Sequence, residues 1–147
     1  MGTNGSTINV SHLGGAEFSV GIRGHELVVD QPRTAGGEDA GPTPTELFVA
    51  SLAACVAFFG RSFLDRRGVP DTVSVSARWE MELRPPSVRR IALRIEAPGV
   101  PADRQDAFRR AIEHCTVHNT LNARPEISFE VVPGGEPEVA ARREAAV

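Results

Sequence analysis

The chain has 147 residues, 41% of them hydrophobic, and a formal net charge of -3. That is enough apolar material for one soluble globular domain, and too little clustered positive charge to suggest a nucleic-acid partner. All 16 basic residues are Arg, which excludes Lys-based Schiff-base chemistry and the Lys of a phosphate-binding P-loop.

The first residues, Met1 to Thr7, carry neither a basic nor an apolar signal region, so a cytoplasmic chain is expected. Ile8 to Leu13 and Glu17 to Asp30 show β-branched residues and short alternations broken at Gly14-Gly15 and at Gly24, which predicts a meander of three strands. Pro32 to Pro42 is glycine-rich and aperiodic and is expected to be a loop. Thr43-Pro44-Thr45-Glu46 then combines an N-cap, a proline at the first helical position and a capping-box glutamate, predicting a helix to about Arg67, ahead of Gly68 and Pro70.

The middle of that helix, Leu47 to Phe59, is apolar on every side. It falls short of the roughly 20 residues a bilayer needs, so a core helix is expected and no membrane partner. A chain this short has little material to wrap it completely, so a second subunit is expected to supply part of the cover. Thr72 to Arg84 alternates, with Val73, Val75, Ala77, Trp79, Met81 and Leu83 on one face, and Trp79 is expected in the core. Pro85-Pro86-Ser87 turns into a strand with Ile91, Leu93 and Ile95 inward.

A second helix is expected from about Ala102, with Phe108, Ala111, Ile112 and Cys115 on its buried face, and a last strand through Ile127, Phe129 and Val131. The order β-β-β-α-β-β-α-β is an α+β architecture with two helices between sheets. Residues 1–135 form one domain and 136–147 a charged tail.

Two cysteines in a reducing compartment are either buried packing residues or a redox couple, and periodicity places both Cys55 and Cys115 toward a core without showing that they meet. The run Gly41-Pro42-Thr43-Pro44-Thr45-Glu46-Leu47-Phe48-Val49-Ala50-Ser51-Leu52-Ala53-Ala54-Cys55 resembles the reactive-cysteine helix of the OsmC/Ohr proteins. Cys115-Thr116-Val117-His118-Asn119-Thr120-Leu121 resembles their resolving-cysteine segment. The resemblance implies an intertwined homodimer with two active sites at the subunit interface, reducing organic hydroperoxides or hydrogen peroxide. Cys55 would attack, Cys115 would resolve the sulfenic acid as a disulfide, and an external dithiol would reset the pair. No cofactor is expected.

A free thiol has a pKa of about 8.5, so thiolate chemistry at neutral pH calls for a nearby cation, and a cysteine three turns into a helix is too far from its N-terminus for the dipole to suffice. The resemblance makes Glu46 the carboxylate that positions an activating Arg; the residue types alone make it a capping residue, and one carboxylate can serve both. It lies nine residues before Cys55, half a turn out of phase and roughly 13 Å along the axis, so any catalytic role is expected on the partner's Cys55. The best-known members carry an Arg between the first two strands, whereas Leu13-Gly14-Gly15-Ala16-Glu17 has none. Arg33 and Arg23 are the candidate replacements, with a solvated surface position as the plainer reading of each.

Phe58 and Phe59 are core residues that could also wall an apolar substrate pocket. His114, Cys115 and His118 invite a metal reading, but the ligand count falls short of a zinc site and no metal is expected. The alternative function is a non-catalytic protein that binds an apolar small molecule at the interface, with the cysteines as packing.

Overall fold

A computed structural model describes residues 6–69 and 72–132. The expected charged tail therefore lies outside the described residues. Strands β1 (Ile8–Gly14), β2 (Glu17–Ile22) and β3 (His25–Val29) form an antiparallel meander. The turns fall at the expected glycines: Gly15 and Gly24 both sit at positive φ, where a Cβ would be penalised. Helix α1 (Pro44–Asp65) follows, then the hairpin β4 (Ser74–Leu83) and β5 (Pro86–Glu96), then α2 (Gln105–Glu113) and α3 (Thr116–Ala123). The mixed α+β class is as expected.

Helix α1 begins as the sequence predicts. Thr43 Oγ1 accepts the backbone N–H of Glu46 at 3.2 Å, and Glu46 Oε2 accepts the N–H of Thr43 at 2.7 Å. Leu52, Val56 and Phe63 recur on one face and are buried with Leu64, Phe108, Ile112 and Cys115. Across the hairpin, Val75 pairs with Ile95 and Ala77 with Leu93, so cross-strand neighbours present one apolar face to α1. Phe63 meets Phe108 edge to face, with centroids 5.4 Å apart. At Gly60 the Phe108 ring of α2 lies close to the α1 backbone: a Cβ there would stand 3.2 Å from the ring and 3.2 Å from Val73, a tight contact that leaves no room for a larger side chain.

At 22 residues and a mean hydropathy of 1.9, α1 is long and apolar enough to cross a membrane, so the expectation that its length rules this out is corrected. What distinguishes it is packing, since Val49, Leu52, Val56, Phe63 and Leu64 are all buried.

Three further expectations are corrected. The second helix is two helices, because His114 closes α2 and Cys115 adopts an extended conformation (φ -66, ψ 149) that starts α3. Thr116, Val117, His118 and Asn119 are all poor helix formers, which favours a break at that point. The last strand is absent from the single chain: residues 124–132 have no regular secondary structure, with Ile127 72% and Phe129 91% exposed. Strands need a partner to satisfy their backbone, and none within the described chain pairs with this segment. Trp79 is 39% exposed, because α1 and α2 cover only the first half of the hairpin.

Helix α1 is likewise uncovered along Ser51, Ala54 and Phe58, the last 67% exposed. Among the described residues, no helix packs on the meander as α1 packs on β4 and β5, and Ile8, Val10, Leu13 and Phe18 stand open.

Candidate active site

The two cysteines arrive from separate elements. Cys55 sits mid-way along α1, between the buried Leu52 and Val56. Cys115 sits in the joint between α2 and α3, held there by its own N–H to the Ile112 carbonyl at 3.2 Å. Both cysteines meet one apolar cluster: Cys115 belongs to it with Leu52, Val56, Phe108 and Ile112, and Cys55 packs against it. Both are free thiols.

Their surroundings differ. Cys115 is fully buried, whereas Cys55 is half-buried. Burial pushes the Cys115 thiol above its ordinary value; the His118 N–H, 3.4 Å from Sγ, works against that, and the adjacent Cys55 thiol adds to it. Cys115 therefore stays a protonated thiol at neutral pH, and of the two sulfurs only Cys55 has solvent access.

The joint around Cys115 is well braced. Cys115 Sγ caps α3 by accepting the His118 N–H, and its carbonyl accepts the Asn119 N–H at 2.9 Å. His118 Nδ1 lies 2.5 Å from the Glu113 carbonyl, so that nitrogen carries the proton, and Nε2 faces the Asn122 amide at 3.3 Å. Asn119 Nδ2 donates to the His114 carbonyl at 3.1 Å. From sequence His114 and His118 were weighed only as metal ligands, and Asn122 was not singled out; the poor helix propensity of the segment is the signal that could have shown their bracing role.

Beside the cluster lies a cavity of about 680 Å³ between α1, β5 and α2. Its walls are apolar, including Leu52, Val56, Ile91, Leu93, Phe108 and Ile112, with Arg109, Glu113 and His118 as polar members. This is the usual size and character of a small-molecule pocket. Phe58 and Phe59 do not line it; Phe59 packs on the core and meets Phe58 edge to face at 5.9 Å.

The remaining site candidates lie apart from the cysteines. Glu46 is exposed and engaged in the capping box, nine residues from Cys55 on the same helix. Arg33 lies at the surface, 3.8 Å from Glu38, and Arg23 occupies the β2–β3 turn at φ 50. Among the described residues, no group of three or more His, Cys, Asp or Glu is placed to hold a metal.

The loop carrying Arg33 is nevertheless fixed, by a residue the sequence reading passed over. Asp30 is fully buried; its carboxylate accepts the N–H groups of Gln31 at 2.7 Å, Glu38 at 2.9 Å and Ala40 at 3.0 Å. Led by the Ala40 contact, these bonds outweigh burial and hold its carboxyl below the usual range. A Cβ at Gly41 would fall 2.1 Å from the Val28 carbonyl, so the loop closes back on β3 just before α1. The signal for this was an aspartate between a strand and a glycine-rich segment, a residue type that organises turns through its carboxylate.

Comparison with known proteins places this arrangement. No curated protein sequence gives a significant match. Among solved structures, a Psychrobacter arcticus protein named for osmotic stress induction and detoxification response superposes with a TM-score of 0.73 at 19% identity, over 80% of this chain and 89% of that one. The organic hydroperoxide resistance protein OsmC of Legionella pneumophila gives 0.60 at 21% identity, over 82% and 91%. The organic hydroperoxide resistance protein OhrB of Bacillus subtilis gives 0.54 at 15% identity, over 78% and 89%. At these identities the likeness is one of fold. The family model described as OsmC-like protein matches residues 36–130, which span α1, the hairpin and both cysteines. The chain belongs to the OsmC-like protein family.

Proposed function

We propose that the protein is a two-cysteine hydroperoxide reductase that works as a homodimer. The observation that carries this reading is the meeting of Cys55 and Cys115 in one apolar cluster, with Cys55 half-buried and Cys115 enclosed. It is supported by the family and by the names of the Legionella and Bacillus proteins that share the fold.

In the proposed cycle the Cys55 thiolate attacks the distal oxygen of a hydroperoxide. An S–O bond forms as the O–O bond breaks, and the alkoxide leaves with a proton as the alcohol, or as water from hydrogen peroxide. The Cys55 sulfur is oxidised by two electrons to a sulfenic acid. Cys115 then attacks that sulfur; the S–S bond forms, the S–O bond breaks, and hydroxide leaves with the Cys115 proton as water. The enclosed position of Cys115 keeps the sulfenic acid next to its resolver and away from a second peroxide. An external dithiol returns two hydrogens to the pair and becomes a disulfide itself.

The dimer is argued from the uncovered apolar surfaces: the outer face of α1 at Ser51, Ala54 and Phe58, the open meander, and the far half of the hairpin at Trp79, Met81 and Leu83. A second copy covers all three at once and brings its own Glu46 and arginines toward Cys55. Arg33, on the loop fixed by Asp30, is the replacement cation this reading favours, and Glu46 acts across the interface. Residues 1–135 act as one cytoplasmic domain.

One observation favours a second reading. The apolar cavity of about 680 Å³ suits a protein that carries an apolar small molecule and uses the cysteines as packing. A peroxide-consumption assay with a dithiol reductant, run with cumene hydroperoxide and with hydrogen peroxide, separates the two. Turnover lost in Cys55→Ser supports the reductase, and no consumption by the reduced wild type supports the carrier.

A further inference from the structure

The two-cysteine reading leaves a problem of access that the structure itself addresses. A dithiol reduces a disulfide by attacking a sulfur along the S–S axis, so its own sulfur must reach the bond. Cys115 has no exposed surface, and Cys55 is half-buried in the same cluster. In the conformation described here, a bond between them could be approached only from the half-buried Cys55, because Cys115 is walled in by neighbours that include Leu52, Val56, Phe108 and Ile112, with Val117 of α3 packed against them.

Helix α3 is the weakest part of that wall. It has eight residues and none of them is fully buried, so it is too short to hold its shape alone and depends on what fastens its ends. Its first turn is fastened by the thiol of Cys115, which takes the place that a serine or aspartate oxygen usually fills and accepts the His118 N–H at 3.4 Å. The other fastenings are the His118 ring on the Glu113 carbonyl, the Asn119 side-chain amide on the His114 carbonyl, the Asn119 N–H on the Cys115 carbonyl, and Val117 packed against the core cluster. Only the sulfur cap involves a group whose chemistry changes in the cycle. A disulfide sulfur must close from non-bonded contact to about 2.05 Å from its partner, so its position is then set by Cys55 and no longer by the His118 N–H.

We propose that the α2–α3 joint is a redox-sensitive latch: the free Cys115 thiol caps α3, and closure of the Cys55–Cys115 disulfide withdraws that cap and releases α3, opening the bond to a dithiol reductant. The oxidant is a hydroperoxide, and the two electrons and two hydrogens it removes are those the dithiol later restores. The latch rests on the two-cysteine reading only for its place in the cycle. The structural claim, that the disulfide uncaps α3, can be tested with any thiol oxidant.

The experiment is hydrogen exchange by mass spectrometry on the full-length protein, reduced and after oxidation by diamide, with disulfide closure confirmed by loss of two hydrogens in intact mass. A cross-link alone slows opening of the segments it joins. The latch predicts the opposite at α3: exchange through 116–123 becomes about fivefold faster on oxidation, the ratio that one lost N-cap implies, while α2 at 105–113 is unchanged or slower. Cys115→Ser, which keeps a good cap and cannot cross-link, should show slow exchange at α3 with and without diamide. Equal or slower exchange at α3 in a confirmed disulfide form overturns the latch. So does failure of diamide to close the bond, since the sulfurs are then out of reach. If the latch holds with diamide but hydroperoxides leave both thiols intact, the peroxidase reading fails and the latch stands.

Discussion

Replacing Gly60 by leucine should separate the two cysteines without altering either. A Cβ at Gly60 would lie 3.2 Å from Phe108 Cζ and from Val73 Cγ1, tighter than the roughly 3.5–4.0 Å of an unstrained carbon contact. Alanine asks its neighbours to yield a few tenths of an ångström, and its helix propensity, about 1 kcal/mol better than glycine's, offsets that cost. Gly60→Ala is therefore expected within about 1 kcal/mol of wild type. Leucine places three more carbons where the Phe108 ring stands, and overpacking of this kind costs about 1–3 kcal/mol.

For a domain of this size that lowers the thermal midpoint by roughly 3–10 °C. The ring carries α2 outward with it, and α2 carries Cys115, so the pair moves toward the limit of about 7 Å between Cα atoms beyond which a disulfide does not close. Calorimetry gives the midpoint, and intact mass after diamide gives the disulfide yield. The expected result is a lower midpoint and a reduced yield in Gly60→Leu, with both near wild type in Gly60→Ala. A leucine variant that melts and cross-links like wild type would refute the argument that close helix approach brings the sulfurs together.

The other predictions concern the loop, the interface and the partner's carboxylate. Because the folded-state carboxyl of Asp30 is held below its ordinary value, the stability it contributes is fully present above the unfolded value of about 3.9 and lost as pH falls through the lower folded value. Asp30→Asn should melt earlier at neutral pH and show a shallower fall of midpoint in acid; an unchanged acid profile would count against the carboxylate as the loop's anchor. Charging the uncovered surface with Phe58→Glu and Trp79→Glu should convert a dimer into monomers by light scattering at micromolar concentration, and a wild-type monomer there would rule out the dimer. Glu46→Ala removes the carboxylate half of the capping box and leaves Thr43 as the N-cap, so its stability cost should stay below the roughly 1 kcal/mol of a lost N-cap, and it should also lose peroxidase activity. Mixing it with Cys55→Ser subunits should restore activity, since each heterodimer has one intact site; no recovery after verified exchange would place Glu46 outside the site.

Much of the fold was legible because local chemistry agrees with tertiary need. Thr43, Pro44 and Glu46 announce the start of α1 two residues from where the Gly41 turn delivers the chain, and the alternation from Val73 to Leu83 marks the hairpin. The misreadings share one physical origin, that periodicity shows which face is apolar but not what covers it. Trp79, Phe58 and the 127–131 segment carry patterns of buried residues yet lie open among the described residues, and in the proposed dimer the second copy is what would cover them.

The break at Cys115 was hidden for a different reason. Phe108, Ile112 and Cys115 keep helical spacing across it, and only the run of poor helix formers after it marks a new helix. Asp30 was hidden because its role is set by amides eight and ten residues away, a closure that no short window of sequence contains. The pairing of Cys55 with Cys115 was expected from resemblance alone; what the structure adds is that both residues meet the same apolar cluster.

The most direct test of the central claim is the fate of the two thiols when the reduced protein meets one equivalent of cumene hydroperoxide, followed by intact mass and peptide mapping. The account predicts one intrachain Cys55–Cys115 disulfide per chain in the wild type. It predicts a dimedone-trappable sulfenic acid on Cys55 in Cys115→Ser, and an unreacted Cys115 in Cys55→Ser. Two free thiols in the wild type after excess hydroperoxide would contradict it.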